Sequence, residues 1–290
     1  MNLGDAGMNL YSIDDLLGNY KDRYFGHGYK KIYHEVTAVE QLDTENWLAH
    51  AAVSQCDDWS IKNNVLQTQH VSSIDALVIT QEVFNSILSA KNINYDNYIL
   101  TDFVIKTGSF PIENIDDIKI KLNLTNNNNI FYLVGVIGNM KVKCAFNKNV
   151  NGISNTFNIY KNLENKIFDI KFISNDLLEC TFLAESDNSS SVYAVSWLIV
   201  FAQLGEVMAF NATGLSRDDS NNFWVRKLEF HLNKDMLLKT NKADTLIVKV
   251  NKHSFINSEH GLWHSFNMES HDQMGLITVS AKTALQGMGI

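Results

Sequence analysis

The sequence predicts an α+β fold built twice over, two buried helices each embraced by a curved antiparallel sheet. Three observations lead there. Ser191 to Ala212 is the longest near-continuous apolar run in the chain, and a helix apolar on nearly every face belongs in a core or a bilayer. Val71 to Ala90 carries apolar residues at 71, 74, 77, 78, 84, 87 and 88, the spacing of a helix with one buried face. Almost everything else reads as strand, in the same order in each half: strand, strand, helix, then three or four strands.

The first helix signal comes earlier. Ser12-Ile-Asp-Asp-Leu-Leu-Gly has a serine followed three residues on by Asp15, a capping box for a short helix ending near Gly18 or Tyr20. Gly26 and Gly28 mark a turn; they lack the further glycine and lysine of a phosphate-binding loop. Strands are expected at 30–42 and 47–55, and 56–69 is polar and irregular. The first buried helix follows, capped by Ser72 or Ser73. Strands come next at 98–107, 118–124 and 130–146, with the Asn126 to Asn129 tract as a solvated loop. The second half places strands at 157–173 and 177–184, then the apolar helix, then strands at 223–232, 245–254, 261–269 and 275–284. This is repetition of architecture rather than of residues. It divides the chain into an N-terminal helix and turn (1–29), a first unit (30–150) and a second (151–290).

Composition narrows the classes. The chain has 290 residues, 45% hydrophobic and 19% charged, a globular balance. A net charge of −8 argues against general affinity for nucleic acid, which needs a basic face. Cys56, Cys144 and Cys180 are odd in number and unpaired in spacing, which suits a reducing compartment and argues against a disulfide or zinc framework. The N-terminus lacks a signal-peptide pattern, so a soluble, cytoplasmic protein is expected. The apolar run would reach roughly 33 Å as a helix, enough to cross a bilayer. However, Gln203 and Glu206 interrupt it, and a carboxylate at mid-bilayer costs about 3 kcal/mol. A core helix is the better reading.

A helix wrapped by a curved antiparallel sheet, duplicated in one chain, looks like a double hot-dog fold, with sites lying between the two helices. The N-terminal motifs then point to a family. Ser12-Ile-Asp-Asp-Leu-Leu-Gly, Arg23-Tyr-Phe-Gly-His-Gly-Tyr-Lys and His70-Val-Ser-Ser-Ile-Asp-Ala-Leu-Val resemble the AvrD family of avirulence proteins, and Phe223-Trp-Val-Arg is similar to that family's second half. The family directs production of syringolides, secreted acyl-sugar lactones, and resembles more distantly the A-factor synthases. The resemblance implies an enzyme condensing a β-ketoacyl thioester, on acyl carrier protein or CoA, with a small xylulose-like keto-sugar. It implies no catalytic residues.

Those are sought from the residues. His70, at the N-terminus of the first buried helix, is the first candidate for a general base; the plainer alternative is a loop histidine that caps backbone. Asp75 either orients His70 or binds sugar hydroxyls, or is a first-turn carboxylate favoured by the helix dipole. The same helix end offers free N–H groups to a thioester oxygen. Gln203 and Glu206 break the second helix's apolar surface, to contact substrate or to tie the halves together. Arg226 binds a phosphate or carboxylate, or pairs with Asp102 across the halves. Trp224 and Trp59 wall an acyl or sugar pocket, or sit in the core. His260 and His264, with His253 and His271 nearby, lie in turn and strand and are not expected to bind metal; no cofactor is implied. Cys56, beside Asp57 and Asp58, reads as loop. Alternatives to the condensing enzyme are a thioesterase or dehydratase of the same fold, or an acyl-ligand binding module. A homodimer fits any of these.

Overall fold

The computed structural model describes residues 10–56, 59–62, 65–149, 157–187, 191–220, 223–233, 237–258 and 261–287. The capping box at Ser12 forms as expected. Helix α1 (Ile13–Leu17) begins with Ser12 Oγ accepting the Asp15 N–H while the Asp15 carboxylate accepts the Ser12 N–H at 2.8 Å. Gly18, at φ +79°, ends it, a backbone conformation that costs glycine nothing. Two short 3₁₀ turns carry the chain to β1 (Ile32–Gln41) and β2 (Asn46–Gln55). Gly28, in the second turn, lies against the Trp59 carbonyl; a Cβ there would sit 1.8 Å from that oxygen.

The polar stretch after β2 is not wholly irregular, because β3 (Ile61–Lys62) and β4 (Val65–Leu66) pair antiparallel. Helix α2 (Ser73–Ala90) follows, and all seven of the apolar positions counted in the sequence are buried. Strands β5 (Tyr98–Lys106), β6 (Ile118–Asn127), β7 (Ile130–Ile137) and β8 (Met140–Lys148) complete the first half. Residues 130–146, read as one strand, are thus a hairpin. Gly138 turns the chain at φ +56°, and the apolar alternation runs on past so tight a turn, which hides it from the pattern.

In the second half a 3₁₀ turn (Phe157–Asn162) occupies the start of what was read as a strand. It precedes β9 (Glu164–Ser174), β10 (Leu177–Glu185), α3 (Ala194–Thr213), β11 (Trp224–Leu232), β12 (Ala243–Ser258), β13 (Gly261–Asp272) and β14 (Ile277–Gln286). Helix α3 is long and apolar enough to cross a membrane, yet most of it is buried inside the protein's own core.

Twelve strands form one antiparallel sheet in the order β1-β2-β6-β7-β8-β5-β11-β14-β13-β12-β10-β9. Read outward from the central pair β5 and β11, the two sides match strand for strand. The sheets expected to abut are therefore continuous, joined where Asp102 faces His231 and Lys106 faces Lys227. The sheet dominates, and α2 and α3 are the long helices among the described residues. Helix α2 packs on β1, β2 and β5, α3 packs on β9 and β11–β14, and the helices touch each other.

Candidate active site

A cavity of about 850 Å³ opens between the N-terminus of α2 and the later turns of α3. The N-terminal segment reaches over it. Arg23, 3% exposed, donates from Nη1 to Gln203 Oε1 of α3 at 2.7 Å and from Nη2 to Asp14 of α1. Gln203 is thereby a buried polar group satisfied by the N-terminal segment. Behind Arg23, Tyr24, Phe25 and Trp59 form an aromatic wall, with the Tyr24 and Trp59 rings edge-on at 5.5 Å.

His70 lines this cavity between two tryptophans. Its ring centroid lies 5.9 Å from that of Trp59, edge-on, and 5.5 Å from that of Trp224. The Nδ1 atom is 2.9 Å from the Thr68 carbonyl oxygen. A carbonyl only accepts, so Nδ1 carries the proton in the neutral ring, and Nε2 keeps a lone pair. Trp59 and Trp224 therefore hold the plane of the imidazole while Thr68 sets its tautomer.

Asp75 does not meet His70. It is 1% exposed and bonds His34 Nε2 of β1 at 2.8 Å, while its other oxygen accepts the Ser72 N–H at 2.7 Å. Burial works against its charge, but the His34 and Ser72 bonds outweigh burial and hold the carboxyl below its ordinary value of 3.8. It thus acts on α2 itself, completing a capping box with Ser72. The Ser72 hydroxyl, 2.7 Å from the Tyr24 hydroxyl, relays this to the cavity wall. His34 carried no sequence signal beyond its place in a strand.

Glu206 lines the cavity from α3. Burial pushes its carboxyl up to about 7, although Arg217, Arg23 and Lys62 pull the other way. Lys62 is pushed down to about 8 by burial and then by Arg217, with Glu206, Asp218 and Asp219 opposing. Lys62 and Arg217 lay in stretches read as loop and offered no periodic pattern. Arg226 lines the cavity too, but its Nη1 donates to the Gly108 carbonyl at 3.1 Å. The alternative pair with Asp102 is absent, since Asp102 lies opposite His231, well along β11 from Arg226. Asp102 instead bonds His231 Nδ1 at 2.7 Å, directly opposite on β11. Among the histidines weighed for metal, His253 Nε2 and His264 Nδ1 are 3.1 Å apart, His271 bonds the Asp272 carbonyl, and His260 lies outside the described residues. The described residues contain no cluster of three or more potential metal ligands.

The pocket between the two helices thus brings together a histidine whose Nδ1 is committed to Thr68 and a carboxyl that burial raises to about 7, the residue types on which acid–base chemistry relies. The family model of the Pseudomonas avirulence D protein (AvrD) matches residues 8–163, and the chain belongs to that family. His70 and the N-terminal motifs fall inside the match; Phe223-Trp-Val-Arg lies outside it. None of the curated proteins matches the chain. Solved structures similar to it include a tesB protein from Mycobacterium avium subspecies paratuberculosis (8% identity, 87% of this chain and 96% of that one, TM-score 0.47). A hot-dog protein of unknown function from Alicyclobacillus acidocaldarius gives 8% identity, 88% and 97% coverage and a TM-score of 0.48. A dehydratase domain of the curacin polyketide synthase gives 8%, 87% and 96%, with a TM-score of 0.41.

Proposed function

We propose that this chain is a double hot-dog enzyme, with units at 30–150 and 151–290, that condenses a β-ketoacyl thioester with a small keto-sugar into a syringolide-type acyl-sugar. The family membership supports the reaction class. The observation that carries the site is His70: its Nδ1 is committed to Thr68 and its ring faces a cavity large enough for two reactants.

In this reading His70 Nε2 removes the proton from a ketose hydroxyl, whose oxygen attacks the thioester carbonyl. The C–S bond breaks, the thiolate leaves on CoA or acyl carrier protein, and an ester forms. The N–H groups of Ser73 and Ile74 in the first turn of α2 receive the charge that develops on the carbonyl oxygen, because first-turn amides lack acceptors within the helix. The thiolate takes the first proton back from His70. Ring closure then joins the acidic carbon between the two acyl carbonyls, which gives its proton to the freed His70 Nε2, to the ketose carbonyl, with loss of water. Glu206, protonated through the lower part of the neutral range, supplies the proton that the departing hydroxyl needs.

The test is mass spectrometry of purified protein incubated with a β-ketoacyl-CoA and xylulose. Wild type is expected to form an acyl-sugar, and His70→Ala, folded to the same melting temperature, is expected to form none. A product that persists in His70→Ala removes His70 from the chemistry. An intact thioester after hours with the wild type favours an acyl-ligand binding module instead.

A further inference from the structure

Tyr24, on the segment that reaches over the cavity, ends a hydrogen-bonded chain for which the acid–base chemistry has no use. The chain starts at Asp75, buried in the first turn of α2. One carboxylate oxygen is bonded by His34 Nε2 at 2.8 Å, and the other accepts the Ser72 N–H at 2.7 Å. The Ser72 oxygen accepts the Asp75 N–H at 3.1 Å, and the Ser72 hydroxyl also stabilises the Asp75 charge. Tyr24 Oη lies 2.7 Å from Ser72 Oγ. The direction of that last bond follows from charge. Hydroxyl dipoles turn their protons toward a nearby anion, and the anion here is Asp75, held ionised by His34 and Ser72. The single Ser72 proton faces the carboxylate, so the phenol donates the bond between Tyr24 and Ser72. Ser72 Oγ then accepts two bonds and gives one, which fills it. The Tyr24 oxygen keeps two lone pairs. Among the described residues no group donates to them, and the side chain borders the cavity.

We propose that Tyr24 is a specificity-determining residue of the cavity, its hydroxyl fixed as an acceptor by the Ser72, Asp75 and His34 chain so that it receives a hydroxyl of the keto-sugar. This rests on the reading of the cavity as the site of acyl-sugar condensation. The two reactants differ in what they can give. A β-ketoacyl chain in its keto form presents carbonyl oxygens, which only accept, whereas every sugar hydroxyl can donate. A carbonyl set against Tyr24 would oppose two acceptors with no proton between them, so the wall favours the sugar there. Position agrees with this chemistry. The rings of Tyr24 and His70 both lie edge-on to Trp59, at centroid distances of 5.5 and 5.9 Å. A ketose held by one hydroxyl at Tyr24 therefore borders the imidazole that takes the proton from another.

Saturation-transfer NMR of the full chain measures xylulose binding without turnover. A β-ketoacyl-CoA analogue with CH2 in place of the thioester sulfur, which cannot be cleaved, is present throughout. Tyr24→Phe is expected to keep the wild-type melting temperature and to bind xylulose about fivefold more weakly. One of the four monodeoxy xyluloses is expected to bind wild type as weakly as xylulose binds the variant, and to lose nothing further in the variant. The analogue with fluorine at that position has no proton to give and is expected to bind like the deoxy sugar. Equal xylulose affinity in the two proteins, losses that add for every deoxy sugar, or no xylulose binding in wild type overturns the assignment. A fluoro analogue that binds as tightly as xylulose makes Tyr24 a donor and overturns it too. Kinetics separate this proposal from the condensation reading. The KM for xylulose is expected to rise about fivefold in Tyr24→Phe with that for β-ketoacyl-CoA unchanged; a rise for the CoA substrate alone assigns Tyr24 to the acyl chain instead and overturns the proposal. Xylulose binding that behaves as expected in a protein forming no product retains Tyr24 and removes the condensation reading. Product formed with equal KM values in both proteins retains condensation and removes Tyr24.

Discussion

Replacing Glu206 by glutamine should stabilise the protein increasingly as pH rises above 4.5, and fully at alkaline pH. In the folded chain burial raises this carboxyl to about 7 from its ordinary 4.5, despite Arg217, Arg23 and Lys62. A raised carboxyl binds its proton more tightly in the folded than in the unfolded chain. Its contribution to stability is therefore complete below 4.5 and is lost as pH climbs through about 7. The shift corresponds to about 3 kcal/mol at full ionisation. Glutamine stands in for the protonated acid, so it removes the penalty without changing side-chain size. Urea denaturation of wild type and Glu206→Gln near pH 5 and near pH 8.5 should show the variant gaining about 2–3 kcal/mol relative to wild type between the two. Stability curves that run parallel across this range would refute the argument, since the carboxyl would then titrate alike in both states. The same variant should lose whichever limb of the pH–rate profile falls near 7.

Two further outcomes follow from the packing around the cavity. Asp75→Asn removes the charge from a buried pair with His34 and weakens the α2 cap, at a cost of about 3–5 kcal/mol. Because the Asp75 carboxyl is held below 3.8, its stabilisation is present above that pH and is lost as pH falls through the folded value. The gap in stability between wild type and Asp75→Asn should therefore shrink only below pH 3.8, and a variant with wild-type stability at pH 7 would show that the pair contributes nothing. Gly28→Ala places a methyl 1.8 Å from the Trp59 carbonyl oxygen, so the backbone must move, for about 1–3 kcal/mol or more. A lower melting temperature and altered tryptophan fluorescence are expected; an unchanged melting curve would mean that the two backbones are not in contact.

The elements that the sequence displayed clearly are those whose burial has a period. The spacing at 71, 74, 77, 78, 84, 87 and 88 marks the buried face of α2, and the Ser12 and Ser72 boxes mark helix starts, because these signals are local. The hairpin at Gly138 and the 3₁₀ turn at 157–162 escaped because alternation and apolar content continue through both. The site was legible only in part, for the same reason. His70, Trp59, Trp224, Glu206 and Arg226 all line one cavity, and each stood out by residue type. Asp75 was readable as a first-turn carboxylate of α2, but not as the partner of His34, which lies 41 residues away on β1. Lys62 and Arg217, 155 residues apart in number, come together only because the region around β3 folds against the segment after α3.

That last contact explains why a fold so evenly duplicated supports a lopsided site. The sheet repeats strand for strand about β5 and β11, so topology alone would provide equivalent sites at the two helix starts. The helix starts differ. Helix α2 opens with a full Ser72 and Asp75 box whose first turn borders the cavity. Helix α3 opens at Tyr193 with no side-chain cap, and its first eight residues are buried. The N-terminal segment breaks the symmetry further, since Arg23 reaches across to Gln203 on α3. The cavity therefore takes its histidine from beside α2, its carboxyl from late in α3, and a cation from a segment outside the repeat. A site assembled from non-equivalent parts can treat two different reactants differently, which the joining of an acyl chain to a sugar requires.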